Sequence, residues 1–175
     1  MKYKACLKSG YTLVEVLTVV AIIGILSAVG YGGMSGAIAN GRTRDAAYNM
    51  AAYLETTANR ARQLNDTLCV KGKSGRWLVT YRSACSEEEN GAAIDSMELV
   101  LRVSLVDTRV DGFDGDNWAS SGAEFAPKFG LSAAPFQGYF VAKYGNEDLY
   151  GAAVKSKGKN SIAPKKGDGS SWEDL

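Results

Sequence analysis

The residue best placed for chemistry in this chain is a single glutamate at the entrance of a long apolar segment. Glu15 follows a short leader, residues 1–10, which carries three lysines and no acid. After Glu15 the next charged residue is Arg42. A lone carboxylate inside a membrane costs several kcal/mol on most scales, so such acids usually have a partner and a role. The placement of Glu15 therefore predicts a charge pair with a function.

Three kinds of segment combine a basic leader with an apolar run. A secretory signal peptide has an apolar core of about 7–15 residues, whereas this run is longer and Glu15 interrupts its start. A plain membrane anchor needs about 20 apolar residues, which Val16–Tyr31 and its flanks supply without explaining Glu15. The third kind is a processing signal that is cut just before the helix. In each case the lysines favour a cytoplasmic N-terminus.

The third kind is supported by a resemblance. Residues Gly10–Leu17, with the sequence GYTLVEVL, resemble the cleavage and methylation signal of type IV prepilins and type II secretion pseudopilins. In that family a membrane peptidase cuts after the glycine and methylates the new N-terminal residue. The resemblance implies a cut after Gly10, with Tyr11 in place of the usual phenylalanine. It also implies that the new amine of Tyr11 pairs with Glu15 of a neighbouring subunit. Snorkelling of Glu15 to the lipid headgroups is the alternative.

The rest of the pattern predicts an α+β protein, in which a long N-terminal helix packs on an antiparallel β-sheet head. We expect a leader at 1–10, a transmembrane and filament-core helix at 11–41, a globular head at 42–155 and a flexible tail at 156–175. Within the head, apolar residues recur at three- and four-residue steps from Ala47 to Leu64, which is typical of an amphipathic helix. The glycines between Gly24 and Gly36 indicate either close helix packing or a hinge.

Alternation of side chains predicts the strands of the head. We expect a hairpin of Thr67–Lys71 and Arg76–Arg82, one long strand at Met97–Val106, and a closing pair at Gly138–Lys143 and Leu149–Lys155. This order, with residues 40–47, 60–70 and 77–81, resembles the GspH/FimT group of minor pilins and pseudopilins over roughly the first hundred residues.

The cysteine and histidine counts bound the chemistry further. The three cysteines are Cys6, Cys69 and Cys85, and a cut after Gly10 would leave an even number. In an oxidising periplasm or exterior, a disulfide between Cys69 and Cys85 would persist; two buried free thiols are the alternative. The absence of histidine excludes His-based acid–base catalysis and His-ligated metals. We expect no enzymatic activity and no cofactor, because no nucleophile motif supports the remaining possibility, a membrane-anchored hydrolase.

Two charged segments raise binding hypotheses. Asp111, Asp114, Asp116 and Asn117 form an oxygen-rich stretch that could bind calcium, although Asp-Gly pairs are also ordinary turn residues. Lys157 and Lys159 loosely resemble the basic C-terminal region through which some FimT-type pilins bind DNA. Such binding would be sequence-blind and sensitive to salt. A solvated tail is the alternative, since Asp168, Glu173 and Asp174 lie nearby.

The expected function is that of a minor pilin or pseudopilin, a subunit of a type IV pilus or of a type II secretion pseudopilus. The implied partners are a prepilin peptidase, other pilin or pseudopilin subunits and the lipid of the bacterial inner membrane. The N-terminus would lie in the cytoplasm and the head in the periplasm. A DNA-uptake pilin is the alternative from a binding class.

Overall fold

Backbone and side chains are described in the computed structural model for residues 11–86, 92–113, 115–127, 138–145, 162–167 and 171–175, and the backbone alone for 130–131 and 151–156. The chain divides into two compact units, one ending at Ile38 and one extending from Ala39 to Leu175.

The first element is a single helix, α1, from Leu13 to Leu64. The prediction of one long N-terminal helix is confirmed, and the helix continues through the glycines between Gly24 and Gly36. In the N-terminal unit, every residue from Tyr11 to Ser35 is exposed. Helix α1 therefore presents bare apolar surface over a length that suits a bilayer.

The second half of α1 buries one face against the head. Ala47, Met50, Leu54 and Ala61 are all fully buried, which confirms most of the predicted apolar stripe. Leu64 is 43% exposed because the helix ends at that residue.

The head adds short strands and one short helix. In chain order they are β1 (Leu68–Lys73), β2 (Trp77–Tyr81), β3 (Ala93–Glu98), β4 (Val103–Val106), β5 (Asp116–Asn117), α2 (Trp118–Ser121), β6 (Ala123–Ala126), β7 (Gly130–Leu131), β8 (Gly138–Tyr144), β9 (Gly151–Ser156), β10 (Ile162–Gly167) and β11 (Trp172–Asp174).

These strands form two sheets. Sheet A has the order β3-β2-β1-β6-β7, and sheet B has the order β11-β10-β9-β8-β4, with the two-residue β5 pairing in parallel with β8. All other pairs are antiparallel, as predicted for the head. The chain visits sheet A, sheet B, sheet A and sheet B in turn.

The predicted hairpin is confirmed as β1 and β2, with Lys73 opposite Trp77. Ser74 and Gly75 both have positive φ, and this reverses the chain sharply between the strands. The predicted closing pair is also confirmed, as β8 and β9.

The prediction of one strand from Met97 to Val106 is wrong. Strand β3 ends at Glu98 in sheet A, and β4 begins at Val103 in sheet B. Between them the chain turns, because the Val103 amide donates to the Val100 carbonyl at 3.0 Å and Arg102 adopts a φ of 68°. Leu101 is 61% exposed at this turn.

The prediction of a flexible tail from residue 156 is also wrong for two segments. Strand β10 pairs with β9, and β11 pairs with β10. The reason is an aromatic cluster that composition did not reveal. The Trp172 ring lies 4.6 Å from the ring of Phe113, and its indole N–H donates to the Asp111 carbonyl at 3.1 Å.

The main core lies among α1, sheet A and sheet B. It joins Met50 and Leu54 of α1 to Phe125 of β6 and to Phe140 of β8. One side chain sets the spacing within it: the Trp118 indole occupies the space above Gly138, where an added Cβ would overlap the ring. Sheet B is therefore fastened to the same core that α1 covers.

Candidate processing and assembly site

The start of α1 is fixed by Thr12. The Glu15 amide donates to the Thr12 side-chain oxygen at 3.2 Å, and the Val16 amide donates to the Thr12 carbonyl at 3.2 Å. Thr12 is thus the N-cap, and Glu15 is the third residue of the first turn. A Thr-x-x-Glu sequence is the pattern of a capping box. This role of Thr12 was not predicted, although its spacing to Glu15 signals it.

The first turn of α1 does little to offset the charge of Glu15. A carboxylate there gains about 0.3–1 kcal/mol from the helix dipole, and the Thr18 hydroxyl bonds only to the Glu15 backbone carbonyl, at 2.9 Å. Among the described residues, no ion pair to the Glu15 carboxylate is present. The cost of a lone acidic residue in a membrane reaches about 2.5–3.5 kcal/mol at the centre of a helix, so Glu15 needs a partner from elsewhere once apolar surroundings enclose it.

The two residues of the expected cleavage site differ in what the structure says of them. Gly10 lies outside the described residues, as does the rest of the leader. Tyr11 precedes the helix and is 82% exposed. The residue expected to become the N-terminus is therefore accessible, one position before the N-cap.

The head contains the expected disulfide. Cys69 and Cys85 are bonded, with a Cα–Cα distance of 5.1 Å across a sequence separation of 16 residues. Cys69 is buried in the middle of sheet A, opposite Tyr81 of β2 and Glu124 of β6. Gly122 closes over the bridge at a φ of +85°, where an added Cβ would lie 2.7 and 2.9 Å from the two sulfurs. Only glycine fits there.

Polar contacts attach α1 to sheet A. The Tyr53 hydroxyl and the buried Thr80 hydroxyl lie 2.7 Å apart, and burial raises the pKa of Tyr53, against the opposing effect of its hydrogen bond to Thr80. Farther along, Arg60 pairs with Asp95 at 3.1 Å. These contacts lock the helix to β2 and β3.

A third contact fixes the end of α1. The Arg82 guanidinium donates to the Asp66 carboxylate at 2.6 Å. That hydrogen bond is the main reason that the pKa of Asp66 is lowered, with the amide of Thr67 adding to it. The exit of the helix is thus tied to the end of β2.

At the opposite end of this helix segment, Arg42 holds the turn between β3 and β4. Its guanidinium donates to the Leu101 carbonyl at 3.2 Å and lies 5.9 Å from the centre of the Tyr144 ring. The Arg102 carbonyl accepts from the amide of Gly145 at 2.8 Å. Two parts of the head that are distant in sequence therefore meet α1 at Arg42.

The remaining predicted binding residues are not brought into a site among the described residues. Asn117 caps α2 through its side-chain oxygen and donates to the carbonyls of Val106 and Thr108 at 2.8 Å each. Asp114, Lys157 and Lys159 lie outside the described residues. Within the part of the chain that is described, no group of three or more potential metal-ligating Cys, Asp or Glu residues occurs.

The described part of the chain has one helix, α1, that is long and apolar enough to cross a membrane. The model of the prokaryotic N-terminal methylation motif matches residues 7–31, which include the expected cut site and Glu15. No curated protein and no solved structure matches the chain significantly. An N-terminal apolar helix behind that motif fits an inner-membrane-anchored precursor. With this motif, a membrane-length helix and an antiparallel β head, the chain carries the prepilin signature of type IV pilins and pseudopilins.

Proposed function

We propose that this protein is a minor pilin or pseudopilin, a non-enzymatic subunit that joins the filament of a type IV pilus or of a type II secretion pseudopilus. The observation that carries the proposal is Glu15, which lies in the first turn of a bare apolar helix inside the matched methylation motif. A prepilin peptidase would cut after Gly10 and methylate Tyr11.

The exposed apolar surface of α1 has to be covered both before and after assembly. Before assembly the bilayer covers the apolar side chains between Leu13 and Met34, which are exposed in the isolated chain. In a filament, sister helices take the place of lipid. Added Cβ atoms at Gly24, Gly30, Gly32 and Gly33 would meet nothing within 4 Å, so this chain alone gives no reason for the glycines. Close approach of neighbouring helices, or a hinge, would supply one.

The pair between Tyr11 and Glu15 would set the register of these helices. Cleavage gives Tyr11 a free amine, and an ammonium about 4 Å from a carboxylate is worth about 4 kcal/mol at an effective dielectric constant of 20. This is comparable to the cost of placing a lone acidic residue in the membrane, and it exceeds the contribution of the helix dipole. A subunit that enters out of register would leave Glu15 unpaired.

The head would face outward on the filament. Its core, its disulfide and the contacts between α1 and sheet A make it a fixed module on the helix. Lys165 of β10 pairs with Asp174 at 2.8 Å, whereas Lys157 and Lys159, on which the DNA-uptake alternative depends, lie outside the described residues.

The first test is mass spectrometry of the protein extracted from membranes that contain a prepilin peptidase. We expect Tyr11 as a methylated N-terminus. An assembled protein that still begins at Met1 would contradict the proposed processing.

The second test separates charge pairing from helix capping. Glu15→Gln keeps the shape of the side chain and removes its charge, so we expect membrane insertion to persist and incorporation into filaments to fall as far as with Glu15→Ala. Thr12→Ala removes the N-cap, at a cost of about 1 kcal/mol, and keeps the charge. The Thr12→Ala protein should therefore be incorporated into filaments far better than Glu15→Gln or Glu15→Ala. Normal incorporation of Glu15→Gln would refute the pairing.

A further inference from the structure

One end of the head combines an exposed apolar side chain with unusual positive charge. Leu101 is 61% exposed at the turn between β3 and β4, and the next residue, Arg102, is also exposed. Arg42 holds this turn through its 3.2 Å hydrogen bond to the Leu101 carbonyl. Arg44 is exposed on the same stretch of α1, over the ring of Tyr48 at 5.7 Å. We call Arg42, Arg44, Leu101 and Arg102 the basal patch.

Chain length places this patch at the level of lipid headgroups. The 26 residues from Val16 to Gly41 are uncharged, and at 1.5 Å per residue they have a helical contour of about 39 Å. A bilayer is about 30 Å thick across its hydrocarbon and about 40–45 Å with the headgroup regions. When this uncharged run crosses the bilayer, its length brings Arg42 to the headgroup layer on the far side. Leu101 lies at the same level, because its carbonyl is bonded to Arg42.

We propose that the basal patch binds the anionic phospholipid headgroups of the bilayer in which α1 is inserted, with Leu101 dipping into the interface between the arginines. The proposal rests on the membrane insertion that is part of the proposed function. It adds a second, reversible contact between the head and the lipid that the subunit must release when it enters a filament.

The positive charge of the basal patch favours anionic phospholipid headgroups as its partner. Among the described residues of the helix segment and the turn, the three arginines compare with two acids, Asp45 and Glu98, and Glu98 already pairs with Arg76 at 2.9 Å. The charge of the described patch is therefore positive. Arginine forms forked hydrogen bonds to phosphate, and its long side chain reaches a headgroup while its stem stays on apolar surface. Each basic residue near an anionic membrane contributes about a fivefold factor to binding. An exposed leucine beside such residues is typical of an interfacial anchor.

The test uses the full chain, with Cys6→Ser, in nanodiscs of phosphatidylcholine alone or mixed with phosphatidylglycerol. An environment-sensitive dye is attached at Leu101→Cys or, as the control position, at Ser96→Cys, an exposed residue of β3. Lipids with a shallow spin label quench any dye that reaches the interface. We expect stronger quenching at position 101 than at 96, and stronger quenching at 101 in the anionic nanodiscs. Equal quenching at the two positions, or at 101 in the two lipid mixtures, would overturn the proposal.

A charge variant removes two of the arginines and keeps the hydrogen bond from Arg42 to the Leu101 carbonyl. Arg44→Ser combined with Arg102→Ser leaves Arg42 in place and should reduce the quenching at 101 to the level at 96. Arg62→Ser combined with Arg109→Ser removes the same charge from exposed positions near the other end of α1 and beyond the other end of β4 and should leave the quenching unchanged. The same loss in both double variants would mean that net charge, and not the patch, is responsible, and would overturn the proposal.

Processing is measured in the same samples, so the two proposals fail separately. A chain cut after Gly10 whose dye at 101 is not quenched would overturn the lipid contact and leave the proposed function standing. A chain that the peptidase leaves intact, with the dye at 101 quenched in anionic nanodiscs, would support the lipid contact and contradict the proposed function.

Discussion

Removal of the disulfide should weaken the head by an amount that can be calculated from its position. The perturbation is Cys69→Ala combined with Cys85→Ala. Alanine is the better choice because Cys69 is buried, and a serine there would add the cost of an unpaired hydroxyl. Cys6→Ala is the control, since it changes the one cysteine that does not take part in the bridge.

The magnitude follows from the sequence separation of 16 residues. In the chain-entropy model, closing a loop of this size lowers the free energy of the folded state relative to the unfolded state by about 3 kcal/mol. This corresponds to a factor of more than about 100 in the folding equilibrium. Gly122 packs on both sulfurs, so the alanine pair should lose some contact energy as well. Reduced wild-type protein keeps both sulfur atoms in place. Its free energy of unfolding should therefore lie between that of the oxidised wild type and that of the alanine pair.

The assay is urea unfolding of the full chain in detergent micelles, monitored by tryptophan fluorescence, because Trp77, Trp118 and Trp172 all lie in the head. With a slope of about 1–3 kcal/mol per molar urea, a loss of about 3 kcal/mol lowers the midpoint by about 1–3 M. The Cys6→Ala control should unfold like the wild type. If the oxidised wild type and the alanine pair unfolded at the same midpoint, the bridge would not constrain the head.

Two further predictions use the same unfolding assay. Tyr53→Phe leaves the buried Thr80 hydroxyl without its partner at 2.7 Å, so we expect the free energy of unfolding to fall by about 1 kcal/mol. The control Tyr48→Phe, at an exposed tyrosine of α1, should leave it unchanged. Equal unfolding midpoints for the two variants would contradict the role of the contact. The pKa of Asp66 is lowered by its hydrogen bond to Arg82, so its stabilising contribution is present above the unfolded value near 3.8 and is lost as pH falls through the lower, folded pKa. The midpoint of the wild type should therefore fall more steeply with acid than that of Asp66→Asn, and parallel curves would contradict the assignment.

Local sequence patterns predicted α1 and the β1–β2 hairpin well. The uncharged run after Glu15 and the stripe from Ala47 onward both have helical character, and Gly72–Gly75 contains the residues of a tight turn. Each of these signals depends on neighbours in sequence. The disulfide was predictable as a favoured alternative, because Cys69 and Cys85 would be the pair left after cleavage, and the structure confirms it.

The turn at Leu101 and Arg102 could not be predicted locally. The alternation of apolar residues from Met97 to Leu105 continues through it without a glycine, proline or asparagine. The Val103 amide closes the turn on the Val100 carbonyl, and two distant groups hold it there: Arg42 binds the Leu101 carbonyl and the Gly145 amide binds the Arg102 carbonyl. Such contacts override a local preference for extended backbone.

The C-terminal strands escaped prediction for a related reason. The Lys, Gly and Ser content after residue 156 resembles that of a disordered segment. The segment is ordered because Trp172 packs against the ring of Phe113, which lies nearly 60 residues earlier in the chain. In the processing site, Thr12 was missed although its spacing to Glu15 was legible.

The alternation of the chain between the two sheets sets an order of events while the head is being synthesised. Both cysteines and the β1–β2 hairpin precede β6 in the sequence, so oxidation of the bridge does not have to wait for the distal half of the polypeptide. The other flank of β1 has no neighbour until β6 arrives. For that interval the nascent head offers an open edge to any extended peptide nearby. A chaperone would be needed most in this window, before β6 pairs with β1 and Gly122 packs over the sulfurs.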